Sequence, residues 1–138
     1  MSKHAPAQVR SDRYALAKAF PNAFEPPRSG RPKQPLKIGI FQDLAARGVA
    51  DKDGRPLSRT RIGRAFGDYV RGYRYHLSGS AGGQRIDLDG NPVGEVTEKE
   101  RSWHAGIVAK MDRDRERGQA LKAERRRVKA SSILQAAE

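Results

Sequence analysis

Apolar positions along this 138-residue chain recur mostly at helical spacing, interrupted by one short alternating run. Near the N-terminus, Ser11 is placed to cap a helix running through Phe20, with Tyr14, Ala17 and Phe20 on one face and Pro21 ending it. Residues 25–35 contain four prolines and predict an irregular connection. Ile40, Phe41, Leu44 and Ala45 return to helical spacing, and Gly48 sits just past the helix end. Gly39 inside that run costs about 1 kcal/mol against Ala, which points to close packing or to a helix that starts beyond it. Residues 51–56 read as a turn.

The next helix has the clearest start. Ser58 is its N-cap, and Leu57 before it is placed to staple onto Ile62. Ile62, Ala65, Phe66, Tyr69, Val70 and Tyr73 form a continuous apolar stripe. At about 100° per residue, Arg61, Arg64 and Arg71 fall within about 80° of one another on the opposite side. Gly72 breaks or kinks the helix, and 79–83 (GSAGG) reads as flexible. Ile86 and Leu88 then alternate with Asp87 and Asp89, and Gly90-Asn91 turns the chain into a β-hairpin. Thr97 and Glu100 make a capping box for a last helix whose apolar face is Trp103, Ile107 and Met111. Beyond Met111 large apolar residues thin out, so 112–138 reads as a solvated helical extension or a disordered basic tail. The expected organisation is therefore a basic tail (1–10), one α+β domain (11–111) and a basic extension (112–138).

Charge sharpens this outline. The net charge is +12, and Arg outnumbers Lys by 19 to 9. Residues 55–85 carry seven arginines against the single acid Asp68, so ion pairing within the helix cannot account for them. Tyr69, Tyr73 and Tyr75 lie in the same block. Guanidinium groups suit bidentate phosphate contact, and a basic block interleaved with aromatics suits nucleic acid. Lys37, Arg59, Arg61, Arg64, Arg71, Arg74, Tyr75 and Arg85 are the candidate binding residues. Arg59 sits in the first turn of its helix, where exposed amides also favour an anion.

Other classes fall away on chemistry. The chain has no cysteine, which excludes disulfides, thiolate metal sites and a thiol nucleophile. Asp43, Asp87, Asp89 and Glu95, with His76 and His104, show no nucleophile–base or metal-ligand spacing, so no enzyme, metal, cofactor or small-molecule substrate is expected. The GSAGGQR segment lacks the GK[ST] of a P-loop. No apolar run approaches the roughly 18 residues of a membrane span, and the N-terminus lacks an apolar signal region, so a cytoplasmic protein without a membrane partner is expected.

Three segments carry a family resemblance: PLKIGIFQDL (35–44), LSRTRIGRAFGDYVRGYRY (57–75) and RIDLDGNPVGEV (85–96). Together they resemble the FinO/ProQ domain of bacterial RNA chaperones, over about Tyr14 to Met111. The resemblance implies a compact, mainly helical fold around a small hairpin. It also implies binding of small regulatory RNAs and messenger 3′ ends through a terminator hairpin followed by a 3′ uridine tail. By motif, Lys37, Arg59, the Arg74-Tyr75 pair and Arg85 would be RNA contacts, with Tyr75 and Arg85 in the pocket for the terminal nucleotides. The family often carries basic residues where this chain has Gly63 and Gly67, and Arg61, Arg64 and Arg71 are the candidates to compensate. With no counterpart of the Tudor-like domain of some members, a minimal single-domain, monomeric member is expected. Two other readings compete. One is an architectural protein binding duplex DNA or structured RNA by charge alone; the other is an interaction module whose C-terminal helix docks an acidic partner.

Overall fold

A computed structural model describing residues 6–137 has five helices around one core, beside a two-stranded antiparallel sheet. The order is α1 (Pro6–Ala19), α2 (Ile40–Arg47), α3 (Arg59–Val70), α4 (Tyr73–Ala81), β1 (Gln84–Ile86), β2 (Pro92–Glu95) and α5 (Glu98–Ala136). The mainly helical α+β architecture is the expected one. Residues 1–5 of the anticipated N-terminal tail lie outside the described residues.

Helix α1 is already formed at Pro6, upstream of Ser11. Ala7, Gln8 and Arg10 are good helix formers, so nothing between Pro6 and Ser11 interrupts the helix. Its inward row is Asp12, Leu16 and Ala17, continued by Phe20, while Tyr14 is exposed instead of facing the core. The face is rotated because Asp12 is drawn inward to Arg61 of α3, with Oδ1 2.6 Å from Nη2 and Oδ2 3.0 Å from Nε. Helix α2 starts one residue after Gly39, whose φ of 84° suits glycine, and ends where the Gly48 N–H donates to the Leu44 carbonyl at 2.9 Å.

In α3 the expected cap is present: Ser58 Oγ accepts from the Arg61 N–H at 3.1 Å, and Leu57 and Ile62 are both buried. Tyr69 is the centre of the core. Its ring meets Phe24 edge-on at 5.0 Å, and its hydroxyl accepts from the Glu25 N–H at 3.1 Å. Gly72 then separates α3 from α4.

The segment 79–81 is not flexible; it is the last turn of α4. Ser78 and Ser80 donate their hydroxyls to the Tyr75 and Leu77 carbonyls, both at 2.7 Å. Gly79 packs directly against His104 of α5, and a Cβ there would overlap the imidazole. The small-residue run that resembles a loop is thus the close approach of two helices.

Strand β1 pairs with β2 through a turn in which Asp87 Oδ1 accepts from the Asp89 and Asn91 N–H groups, at 3.0 and 2.9 Å. On its other edge β1 meets the chain before α2: Ile86 N–H donates to the Pro35 carbonyl at 3.0 Å, and Lys37 N–H to the Ile86 carbonyl at 2.8 Å. The capping box of Thr97 and Glu100 opens α5 as expected. The expected apolar face does not hold, because Trp103 is exposed and His104 takes the inward position against Gly79 and His76. Past Met111, α5 continues as a helix to Ala136 with mostly exposed side chains, the first of the two alternatives left open for that segment.

Candidate nucleic-acid interface

The pairing of β1 with residues 35–37 brings three candidates to one place. The Leu36 N–H donates to the Tyr75 hydroxyl at 3.1 Å, and Arg85 Nη1 donates to the Leu36 carbonyl at 2.7 Å. Arg85 Nη2 also donates to Glu100 in the first turn of α5. Glu100 is held below the usual carboxylate range, first by hydrogen bonds to Thr97 and then by Arg85. Only 11% of the Arg85 side chain is exposed, and its buried Nε has no partner. Tyr75 is 9% exposed and lies against a histidine pair, with ring centroids 6.0 Å from His104 and 6.3 Å from His76. His76 Nδ1 and His104 Nδ1 are 2.9 Å apart, so one nitrogen carries the shared proton and the other accepts it. Burial lowers both imidazole pKa values, and each also has a cation or the other ring near it.

Lys37 follows Leu36 in the chain, and its side chain is half-exposed. Its ammonium donates to Asp43 at 2.8 Å, which raises its pKa. It opens onto a cleft of about 270 Å³ that also holds Arg47, Asp87 and Asp89, so its surroundings are more acidic than the sequence suggests.

The arginines of α3 are distributed differently. Arg61 is committed to Asp12 and only a third exposed, which removes it from the free basic face; that bidentate pair raises its pKa. Arg59 lies over the Phe41 ring, 5.1 Å from its centroid. Gly63 also faces that ring, with Phe41 atoms 3.6 Å from where a Cβ would be. At Gly67 the Arg71 guanidinium fills the space, 3.0 Å from the Cβ position. Arg71 therefore places its charge where the third helix has no side chain of its own. Arg64 is partly exposed, and no ion pair involves Arg59, Arg64 or Arg71 among the described residues. Arg74 lies apart, exposed on α4, beside a cleft of about 610 Å³ lined also by Tyr73, Leu77 and Arg115.

The sequence pattern of the ProQ/FINO family matches residues 13–128. The chain belongs to the ProQ/FINO family. Two solved structures are similar to it. A ProQ homolog from Legionella pneumophila is 26% identical with a TM-score of 0.59, the match covering 80% of this chain and 88% of that one. A FinO-like RNA chaperone from Neisseria meningitidis is 25% identical with a TM-score of 0.55, with the same coverage of each.

Within this ProQ/FINO fold, several residues of the site carry no spacing signal. Glu100 was legible as a capping residue, but its tie to Arg85 depends on how the hairpin meets α5. The His76–His104 contact joins positions 28 apart and has no local signature. Lys33 lies in the proline-rich connection yet is buried, donating to the Tyr69 carbonyl at 2.8 Å with its ammonium 4.2 Å from the Tyr69 ring centroid. Burial, followed by Arg13 nearby, lowers its pKa to about 8. Among the described residues, no His or acid cluster could hold a metal ion, and no helix is long and apolar enough to cross a membrane.

Proposed function

We propose that this chain is an RNA-binding protein and RNA chaperone acting in post-transcriptional regulation. In this reading it takes small regulatory RNAs and messenger 3′ ends in the cytoplasm, through a terminator hairpin followed by a single-stranded 3′ uridine tail. One observation carries the reading. The Tyr75 hydroxyl accepts from the Leu36 N–H and so keeps its own proton to donate, at a place bounded by the Leu36–Lys37 backbone and the Arg85–Glu100 pair. A donor in such a bounded place suits the hydroxyls or phosphate of a chain end and disfavours a strand that continues. Lys37, next to Leu36 in the chain, adds a cation once it leaves Asp43. Arg85, nearly buried and doubly engaged, acts by fixing the Leu36 carbonyl and α5, so it is a positioning residue.

The hairpin stem is assigned to the unpaired arginines of α3. An A-form duplex hides its base edges in a deep groove, so recognition there goes through shape and phosphates. Arg59, Arg64 and Arg71 supply that sequence-tolerant part, and Arg74 adds charge on α4. Family membership, and the similarity to a FinO-like RNA chaperone, support RNA as the polyanion.

The deciding experiment compares affinity for a terminator hairpin with its uridine tail, with the tail removed, and with the tail extended beyond the uridines. The tailed form is expected to bind most tightly, and equal affinities overturn the chain-end site. Tyr75→Ala is expected to abolish the difference between the three. Arg64→Ala is expected to weaken all three alike and to reduce the salt slope by about 0.7–0.9, the share of a single neutralised phosphate. A charge-only reading is favoured by Lys122, Arg125, Arg126 and Lys129, all exposed on successive turns of α5. It predicts that duplex DNA competes as well as the hairpin.

A further inference from the structure

Trp103 is the only tryptophan of the chain, and it is 60% exposed. A large aromatic residue that is neither in the core nor explained by the expected helix face calls for a physical account. Its contacts with His76 and His104 are edge-on, with centroids at 5.7 and 4.9 Å and interplanar angles of 69° and 70°. Neither imidazole lies parallel to the indole, and more than half of the tryptophan surface stays open to solvent. Ala105 and Gly106 beside it are small and exposed, and nothing lies within 4 Å of a Cβ built at Gly106.

The surrounding charge is one-sided. Around α5, Lys99 and Lys110 fall within about 40° of Trp103, whereas Glu98 and Asp112 fall about 140° and 180° away; Asp114 shares the lysine face but lies three turns beyond Trp103 and pairs with Arg117 at 3.7 Å. Glu100, one turn back, is already engaged by Arg85 and the Thr97 N–H. The ring is also continuous with the site described above. Tyr75 meets His104 at 6.0 Å, His104 meets Trp103 at 4.9 Å, and Arg85 grips the same flank of α5 through Glu100.

We propose that Trp103 is a stacking platform for a nucleobase of single-stranded RNA whose end lies at the Tyr75–Arg85 site, with Lys99 and Lys110 meeting the flanking phosphates. The inference rests on the RNA-binding reading and extends it to a second element, α5. An aromatic face offers sequence-tolerant stacking, and flanking ammonium groups track the backbone on either side. An apolar protein partner would gain nothing from the two lysines, and an acidic peptide would gain nothing from an open indole face.

The test uses the full chain and a hairpin with a uridine tail. Because Trp103 is the sole tryptophan, its emission reports on this site alone. RNA is expected to quench the emission and to protect it from acrylamide, along the same isotherm as the anisotropy of labelled RNA. Trp103→Ala is expected to weaken binding of the tailed hairpin about fivefold to a hundredfold, with Trp103→Phe retaining most of the affinity and the untailed hairpin little affected. Circular dichroism melts of both variants establish that they are folded. Anisotropy that reports binding while the emission, the acrylamide protection and the Trp103→Ala affinity stay unchanged overturns the platform but leaves the RNA-binding reading standing. Absence of any RNA binding overturns both. An emission change that depends on protein concentration without RNA assigns the face to a second copy of the chain and also overturns the platform.

Discussion

Two of the arginine-bearing regions of this protein are built on opposite principles. Around Tyr75, the guanidinium of Arg85 is nearly buried and each of its terminal nitrogens is taken, by the Leu36 carbonyl and by Glu100. On the outer side of α3, Arg59, Arg64 and Arg71 keep their charge unpaired, and only Arg61 is tied down, by Asp12. A charge already satisfied by the protein adds little to the attraction of a polyanion, but it fixes the shape of the place where a ligand must fit. A free charge at the surface does the reverse: it attracts any phosphate and specifies little. The count of arginines in residues 55–85 is therefore a poor guide to their roles, because the group includes both kinds.

Overfilling the enclosed region produces the largest expected effect. Gly79→Ala places a methyl group inside the His104 imidazole, and the overpacking is expected to lower stability by about 3 kcal/mol or to separate α4 from α5. Thermal or urea unfolding checks this, and an unchanged midpoint would show that α5 is not seated on α4 as described. A smaller change is Tyr75→Phe, which leaves the buried Leu36 N–H without its acceptor. The expected cost is about 1–3 kcal/mol, together with disappearance of the tail preference in the hairpin comparison.

Acid sharpens the comparison further. His76 and His104 have lowered pKa values, chiefly through burial, with Lys33 facing His76 and both His76 and Arg85 facing His104; Glu100 acts in the opposite sense on His104. The unfolded chain therefore takes up these protons at a higher pH than the folded one. Stability is expected to be complete above the ordinary histidine value of about 6.5 and to fall as the pH drops through the lowered values. Protonating the accepting nitrogen also turns the Nδ1–Nδ1 hydrogen bond into two opposed donors. Urea midpoints between pH 7.5 and 5 check the slope, and His104→Asn is expected to flatten it. Tail preference should weaken over the same range while affinity for the bare hairpin does not, since the stem is assigned to α3, which holds neither histidine. The smallest expected effect on the fold is that of Arg64→Ala, within about 0.5 kcal/mol of the parent in unfolding, because it removes a partly exposed charge that pairs with no acid. If it destabilises more than that, the α3 face is structural and the contrast with Arg85 disappears.

What was legible in the sequence was local. Ser58 with Leu57 and Ile62, the Thr97–Glu100 box, the Gly48 stop and the Asp87–Asn91 turn are each set by residues within a few positions of one another, so spacing reveals them. The family resemblance carried by 35–44, 57–75 and 85–96 is of the same kind, and the ProQ/FINO match over 13–128 bears it out. The misreadings share one cause. Tyr14 is exposed and not on the core face because Arg61, 49 residues from Asp12, pulls Asp12 inward in its stead. Trp103 and His104 exchanged places because α5 seats on a glycine of α4.

For the candidate site, the sequence by itself determined which groups are available: an arginine-rich third helix, a tyrosine at 75, a hairpin arginine at 85 and a net charge far from zero. Only the tertiary structure decided which of them are free. A guanidinium looks the same in a sequence whether it faces solvent or a carboxylate from a distant element, because ion pairs and buried imidazole contacts form between residues that share no local spacing. Arg85 with Glu100, Arg61 with Asp12 and His76 with His104 are such pairs, and they separate the basic residues that hold the shape of this protein from those left unpaired at its surface.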